Sequence, residues 1–73
     1  MSAISKIRHL LDRSRKAQEK RDCAGAYYAM VQAVKAYSFA VGDGDILPGE
    51  VDAISVAVTK RVDEVFDGCI GED

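Results

Sequence analysis

The segment GAYYAMVQAVKAYSFAV, residues 25–41, decides the fold, because only three of its residues are clearly polar. Small side chains recur in it at alternating intervals of three and four, which places them on one face of a helix; they are Ala26, Ala29, Ala33, Ala36 and Ala40. Larger side chains recur beside them at the same intervals, namely Tyr27, Met30, Val34, Tyr37 and Val41. A helix with two such stripes has two packing faces, so we expect it to be central. The narrow strip left for solvent contains Tyr28, Gln32, Lys35 and Ser38.

Turn signals bound this helix on both sides. Asp22 is a natural N-cap and Gly42 is a natural residue just beyond a helix C-terminus, so the second helix is predicted over about 22–41. The segment GDGDILPG, 42–49, is rich in Gly and Asp and contains the only proline, which predicts a turn. This turn is short enough to join two antiparallel helices.

Helical spacing of apolar residues continues on both sides. A first helix is predicted over about 3–21, and its apolar residues lie in its first half, namely Ile4, Ile7, Leu10 and Leu11. A third helix is predicted over about 49–67 from the spacing of Val51, Ile54, Val58, Val62 and Val65. Such β-branched residues favour strands, but the alternation of a strand fails by Lys60 and Arg61. Residues 68–73 are predicted to be an acidic, frayed tail.

These elements predict a single all-α domain over residues 1–73. The expected architecture is a small helical bundle of two to three helices, in which helices 2 and 3 form an antiparallel hairpin. Helix 1 packs across this hairpin or extends from it. A chain of 73 residues buries only about 60% of its unfolded surface, so its core is small. We therefore expect dimerisation to complete the bundle.

The alanine stripe is the basis of the predicted homodimer. Helix 1 has apolar turns only as far as Leu11, so it is not expected to cover the whole stripe. A long uncovered apolar stripe is rare on a monomer, and small side chains allow two copies to approach closely about a two-fold axis. The predicted interface consists of Ala26, Ala29, Ala33, Ala36, Ala40 and Phe39.

Charge is divided unevenly along the chain. Residues 1–22 contain seven Lys or Arg and three acids, whereas residues 23–73 contain three Lys or Arg and nine acids. The densest group of cations is predicted to bind a partner; it consists of Arg13, Arg15, Lys16, Lys20 and Arg21. Pairing of this group with the acidic half of the chain is the other interpretation. Interleaved acids, and the lack of an aromatic residue within the group, weigh against nucleic acid as the partner.

No arrangement of residues predicts catalysis or a cofactor. The DGD sequence at 43–45 does not continue as a calcium loop, because Leu47 and Pro48 occupy the fifth and sixth positions. His9 is the only histidine, and no nucleophile or acid cluster is placed to work with it. We expect a protein that is not an enzyme and that uses no metal and no cofactor.

The two cysteines, Cys23 and Cys69, make no metal or redox motif by their spacing. Lys6 and Arg8 interrupt the apolar residues near the N-terminus, which argues against a signal peptide. The segment 25–41 is too short and too polar at its centre to cross a membrane. A cytoplasmic location is therefore expected, and free thiols are expected in that reducing environment, with a disulfide or a shared metal as the alternative. In the predicted hairpin the two cysteines lie at the same end.

The segment DCAGAY, residues 22–27, resembles the helical turn of trafficking-type three-helix modules and of tetratricopeptide hairpins. The small helical size is similar to that of plasmid copy-number RNA-binding proteins. Neither resemblance supplies a motif from which site residues carry over. The predicted function is a small non-enzymatic regulator or adaptor, of phage or plasmid type, that acts by protein–protein contact. The alternative is an RNA- or DNA-binding helical dimer that uses the basic half of helix 1.

Overall fold

A serine cap begins the first helix. The computed structural model describes residues 2–70, and in it the Ser2 hydroxyl accepts a hydrogen bond from the backbone N–H of Ser5 at 3.1 Å. This cap satisfies an N–H that has no partner inside the helix, and α1 follows as Ala3–Glu19. The helix ends two residues before the predicted boundary, because Arg21 adopts the left-handed conformation with φ 63° and turns the chain into the next helix.

An aspartate and a glycine bound the second helix. Asp22 accepts a hydrogen bond from the backbone N–H of Gly25 at 2.9 Å, as its predicted N-cap role requires. The helix α2 is Cys23–Asp43. It ends at Gly44, whose φ of 73° closes the helix in the left-handed conformation that glycine adopts without steric cost. The predicted end at Gly42 is therefore two residues early.

The third helix, α3, is Pro48–Val65, and proline occupies its first position. It continues into one π-helical turn, Phe66–Ile70. The predicted frayed tail over 68–73 is therefore wrong for 68–70, and 71–73 lie outside the described residues. All the regular secondary structure of residues 2–70 is helical, without a strand, which confirms the all-α class. No helix among these residues combines the length and the apolar character that a bilayer span needs.

The interface between α1 and α2 is the most extensive in the molecule. Ser14 of α1 and Ala26 of α2 are both fully buried, and the Ser14 hydroxyl donates a hydrogen bond to the Ala26 carbonyl oxygen at 2.7 Å. Because both side chains are small, the two helix backbones approach closely at this point. The second half of α1, although it is charged, therefore packs against α2 through its small residues.

The packing of α1 on α2 covers the alanine stripe that was expected to form an interface between two copies. Within one chain, four of the five alanines are buried and the fifth is half-buried; the buried ones are Ala26, Ala29, Ala33 and Ala40, and the half-buried one is Ala36. The expectation that helix 1 cannot cover the stripe is wrong, because small residues of α1 continue the interface beyond Leu11. Of the predicted interface residues, Phe39 alone is exposed, at 68%.

The core is divided into two clusters along the length of α2. The first contains residues from all three helices and from the α2–α3 connection: Ile7, Ala40, Ile46, Ile54 and Val58. The second lies where α2 begins and α3 ends, and it contains Ala26, Met30 and Val65, with Ala17, Val31, Val62 and Cys69 packed against it. The large stripe of α2 is only partly covered, since Tyr27 and Val41 are more than two-fifths exposed.

A disulfide joins Cys23, the first residue of α2, to Cys69, in the turn after α3. Their Cα atoms are 5.6 Å apart. The prediction that the two cysteines lie at the same end of the molecule is confirmed, and the prediction that they remain free thiols is wrong. The free-thiol prediction used only the expected compartment, whereas helix packing places the two side chains within bonding distance.

We predict that replacing both cysteines, Cys23→Ser with Cys69→Ser, lowers the free energy of unfolding by about 2–4 kcal/mol. The bond closes a loop between residues separated by 46 positions, and loop-closure entropy of this size corresponds to roughly 4 kcal/mol. Urea unfolding measures the change. A reducing agent should destabilise the wild type but leave the double variant unchanged, and equal urea midpoints for the two proteins would contradict the prediction.

We predict that Ala33→Glu prevents folding or lowers stability by several kcal/mol, because Ala33 is fully buried and the carboxylate would have no partner. Ser38→Glu is the matched control, since Ser38 is exposed on the same helix and its replacement changes the charge equally. Thermal unfolding followed by circular dichroism compares the two. Similar melting temperatures for both variants would show that α1 does not cover this part of α2.

Candidate functional site

A groove follows the outer edge of the α1–α2 interface, where the second half of α1 passes the first half of α2. Its volume is about 350 Å³. We name it the basic groove. It is lined by Leu10, Arg13, Lys16, Ala17, Lys20, Asp22, Gly25, Tyr28, Ala29 and Gln32.

Helical spacing brings the cations of the basic groove to one edge of α1. Arg13, Lys16 and Lys20 are three and four residues apart, so they project on the same side of the helix, and all three are exposed. The small side chains of Ala17 and Ala29 lie between the two helices and leave room above them. The groove therefore has an apolar floor and a positively charged wall.

The opposite wall contains an aromatic residue that the sequence analysis did not assign to the site. Tyr28 of α2 is 67% exposed and lines the basic groove beside the cations of α1. Its place in the solvent strip of α2 is visible in the sequence, but its proximity to the cations depends on how α1 packs. Although the basic segment contains no aromatic residue, the folded surface therefore has one next to its cations.

Asp12 neutralises part of the positive charge on α1. Its carboxylate pairs with Arg15 and with Lys16, whose ammonium lies 3.2 Å away. The hydrogen bond from Lys16 holds the pKa of this carboxyl below its ordinary value, and the charges of Lys16, Arg15 and His9 act in the same direction. Asp12 is therefore ionised at neutral pH. Arg13 and Lys20 have no ion-pair partner among the described residues.

Ion pairs between the basic segment and the acidic half of the chain are absent among the residues that the structure describes. Within residues 2–70, each ion pair joins residues three or four apart on one helix: Arg15 with Asp12, Lys16 with Asp12, and Arg61 with Glu64. None joins α1 to the C-terminal acids in that part of the chain. For residues 2–70, the structure thus contradicts the interpretation that the basic group pairs with the acidic half of the chain.

The predicted partner-binding group is divided by the fold. Arg13, Lys16 and Lys20 line the basic groove together. Arg15 lies on the other side of α1, where it lines the grooves between α1 and α3. Arg21 is exposed in the connection between α1 and α2 and lines none of these grooves. The five residues thus do not form one surface.

The helix α3 contains a buried arginine, which the sequence pattern does not predict. Arg61 is only 6% exposed and lies on the otherwise apolar face that includes Val58 and Val65. It lines a groove of about 390 Å³ between α1 and α3, which we name the Arg61 groove; the lining residues are Arg8, Leu11, Asp12, Arg15, Ala57, Lys60, Arg61 and Glu64. In the sequence, Arg61 only marks a break in β-alternation, and nothing in the pattern indicates that it is buried.

The two grooves are lined mainly by cations and small apolar side chains. Within residues 2–70, no three His, Cys, Asp or Glu side chains are grouped so that they could hold a metal ion. His9 is exposed. The buried Ser14 hydroxyl is engaged with a backbone carbonyl, so it does not act as a nucleophile.

Comparison of the chain with protein-family models, curated proteins and solved structures finds no match.

Proposed function

We propose that the protein is a small non-enzymatic regulator or adaptor that binds an acidic surface of another protein through the basic groove. The observation that carries this proposal is the exposed row of Arg13, Lys16 and Lys20 beside Tyr28. Arg13 and Lys20 have no ion-pair partner among the described residues and are available to carboxylates of a partner, whereas Lys16 shares Asp12 with Arg15. Such charge complementarity gives specificity and fast association. Tyrosine beside them supplies apolar contact area at a low cost in side-chain entropy.

The shape of the groove supports an elongated ligand such as a helix or an extended segment. The wall follows two turns from Arg13 of α1 to Lys20, the residue that caps its C-terminus, which is about 10 Å at a rise of 1.5 Å per residue. The apolar floor accepts a small apolar side chain, and the cations pair with acids on either side of it. A partner segment that alternates acidic and small apolar residues fits this arrangement.

RNA or DNA binding is the second candidate, and Tyr28 is the observation that favours it. A tyrosine ring beside three cations can stack on a base while the cations contact phosphates. The net charge of −2 weighs against this candidate, because the acidic remainder of the chain repels a long polyanion. The two candidates differ in the ligand that the same groove selects.

We propose that α2 and α3 form an antiparallel hairpin on which α1 packs, as the sequence predicts. The disulfide between the start of α2 and the turn after α3, and the second core cluster at that end, support this arrangement. We also propose a homodimer in which Phe39 replaces the buried alanines as the central contact. Phe39 is 68% exposed and lies eleven residues from Tyr28, about 16 Å along α2, so this contact leaves the basic groove open.

The cytoplasmic location expected from the sequence stays a proposal. The Cys23–Cys69 bond weighs against it, because structural disulfides persist mainly in oxidising compartments.

We predict that replacing Arg13, Lys16 and Lys20 together by Ser weakens binding of a fluorescein-labelled peptide of alternating Glu and Ala at least about tenfold. Each charge contributes a few tenths to 1 kcal/mol in an exposed pair, and the three act together. Fluorescence anisotropy at 50 mM and 200 mM salt measures the affinity. The melting temperature should change by only a few degrees, because the three side chains are exposed.

The matched control replaces Arg8, Lys35 and Lys60 by Ser, which changes the net charge equally but leaves the basic groove intact. This variant should bind the peptide nearly as well as the wild type. An equal loss in both variants would mean that net charge, and not the groove, attracts the peptide. Tighter binding of a single-stranded oligonucleotide than of the peptide, with a further loss in Tyr28→Leu, would favour the nucleic-acid candidate instead.

We predict that light scattering at high micromolar concentration gives a dimer mass for the wild type and a monomer mass for Phe39→Asp. A charge at the centre of an apolar contact removes its driving force. Val56→Asp is the control, since Val56 is equally exposed, at 67%, but lies on α3. A monomer mass for the wild type would remove the homodimer from the proposal without affecting the basic groove.

A further inference from the structure

Arg61 is buried without enough hydrogen-bond partners. Its guanidinium carries five N–H donors. Nη2 donates to the Gln18 side-chain oxygen and lies 3.4 Å from the Glu64 carboxylate, whereas Nε and Nη1 are buried and have no partner. Buried donors in folded proteins are nearly always satisfied, and an exception points to a water or a ligand. Arg61 is thus a charged group with unused donors at the floor of a groove.

Further cations surround this buried guanidinium. Arg8, Arg15 and Lys60 line the Arg61 groove, and all three are exposed. The groove therefore contains four cations and two acids, Asp12 and Glu64. Asp12 already accepts from Arg15 and from Lys16 outside the groove, so the pocket keeps an excess of positive charge.

We propose that the Arg61 groove binds a phosphate group, either as inorganic phosphate or as the monoester of a small molecule. A phosphate carries a charge between −1 and −2 at neutral pH and offers three strong acceptor oxygens, which matches several converging cations better than a single carboxylate does. Arg61 supplies the buried, charge-assisted hydrogen bonds, and the exposed cations attract the anion to the groove. This site lies on the opposite edge of α1 from the basic groove and is independent of the proposed partner surface.

Gln18 holds the buried guanidinium from the adjacent groove. Its side-chain oxygen accepts from Arg61, and its side-chain nitrogen donates to the Glu64 backbone oxygen at 3.0 Å. The absence of a side chain at Gly68 makes room for this conformation, since a Cβ there would collide with the Gln18 nitrogen. Gln18 lines the adjacent groove and not the Arg61 groove, so the phosphate takes the unpartnered Nε and Nη1 donors and leaves the contact between Nη2 and Gln18 in place.

The test is thermal unfolding at pH 7.5 and constant ionic strength, with inorganic phosphate, O-phosphoethanolamine or acetate exchanged for chloride. A ligand that binds only the folded state raises the melting temperature with the logarithm of its concentration. The wild type should show this rise with at least one of the two phosphate compounds and not with acetate. The compound with the lower apparent Kd identifies the source of the group.

Two variants and one control test whether Arg61 is responsible. Arg61→Met keeps an apolar stem in the core, and it should weaken the apparent Kd at least about tenfold, as loss of a charged hydrogen-bond partner predicts. Gln18→Glu places a carboxylate of the chain itself on Arg61 and should abolish the rise. Lys35→Met, an exposed residue outside both grooves, removes the same charge and should respond like the wild type.

Three results would overturn the proposal: no rise in the wild type beyond that in chloride, an equal rise with acetate, or an undiminished rise in Arg61→Met. Phosphate also stabilises folded proteins by exclusion from their surfaces, but this effect is common to all variants, so the difference between variants is the measured quantity. If Arg61→Met does not fold, the response of Gln18→Glu decides the question, and an undiminished rise in that variant contradicts the proposal.

Discussion

The close contact of α1 with α2 at Ser14 and Ala26 determines the rest of the structure. A helix whose outer half is charged almost all round has little apolar area to bury, so small residues and a few hydrogen bonds hold it in place, from Ser14 to α2 and between Gln18 and α3. Small side chains bring the helix axes together and increase the dispersion contacts between backbones. The hydroxyl of Ser14 has its partner within the interface, so its burial leaves no unsatisfied group.

Both candidate sites follow from that contact. When α1 lies this close to α2, its long charged side chains cannot enter the interface and are displaced to its two edges. One edge carries Arg13, Lys16 and Lys20 and faces α2, and the other carries Arg8 and Arg15 and faces α3. One basic segment thus contributes cations to two surfaces with different chemistry, one flanked by an aromatic ring and the other containing a buried guanidinium.

The sequence predicts the secondary structure well, but it predicts less well which element packs against each helix face. Caps, turn residues and apolar spacing are local signals, so the helix boundaries are correct to within about two residues, as at Asp22 and Gly44. Which helix covers the alanine stripe depends on tertiary packing. Hydrophobicity alone does not identify a small polar residue such as Ser14 as a buried packing residue. The burial of Arg61 is also invisible to periodicity, because a charged residue on an apolar helix face interrupts the pattern that identifies a core. Tyr28 joins the basic groove only through tertiary packing.

The disulfide gives the chain an uneven covalent topology. Residues 23–69 form a closed ring that contains α2, the connection and α3, while α1 is attached to this ring at one end only and is otherwise held by packing. The ring limits the separation of its two helices even in the unfolded chain, so it lowers the entropy gained when they part. A single cut in the connection between α2 and α3 yields two segments that remain one molecule until the bond is reduced. The helix that carries half of the Lys and Arg residues is therefore the one that can detach while the other two stay joined.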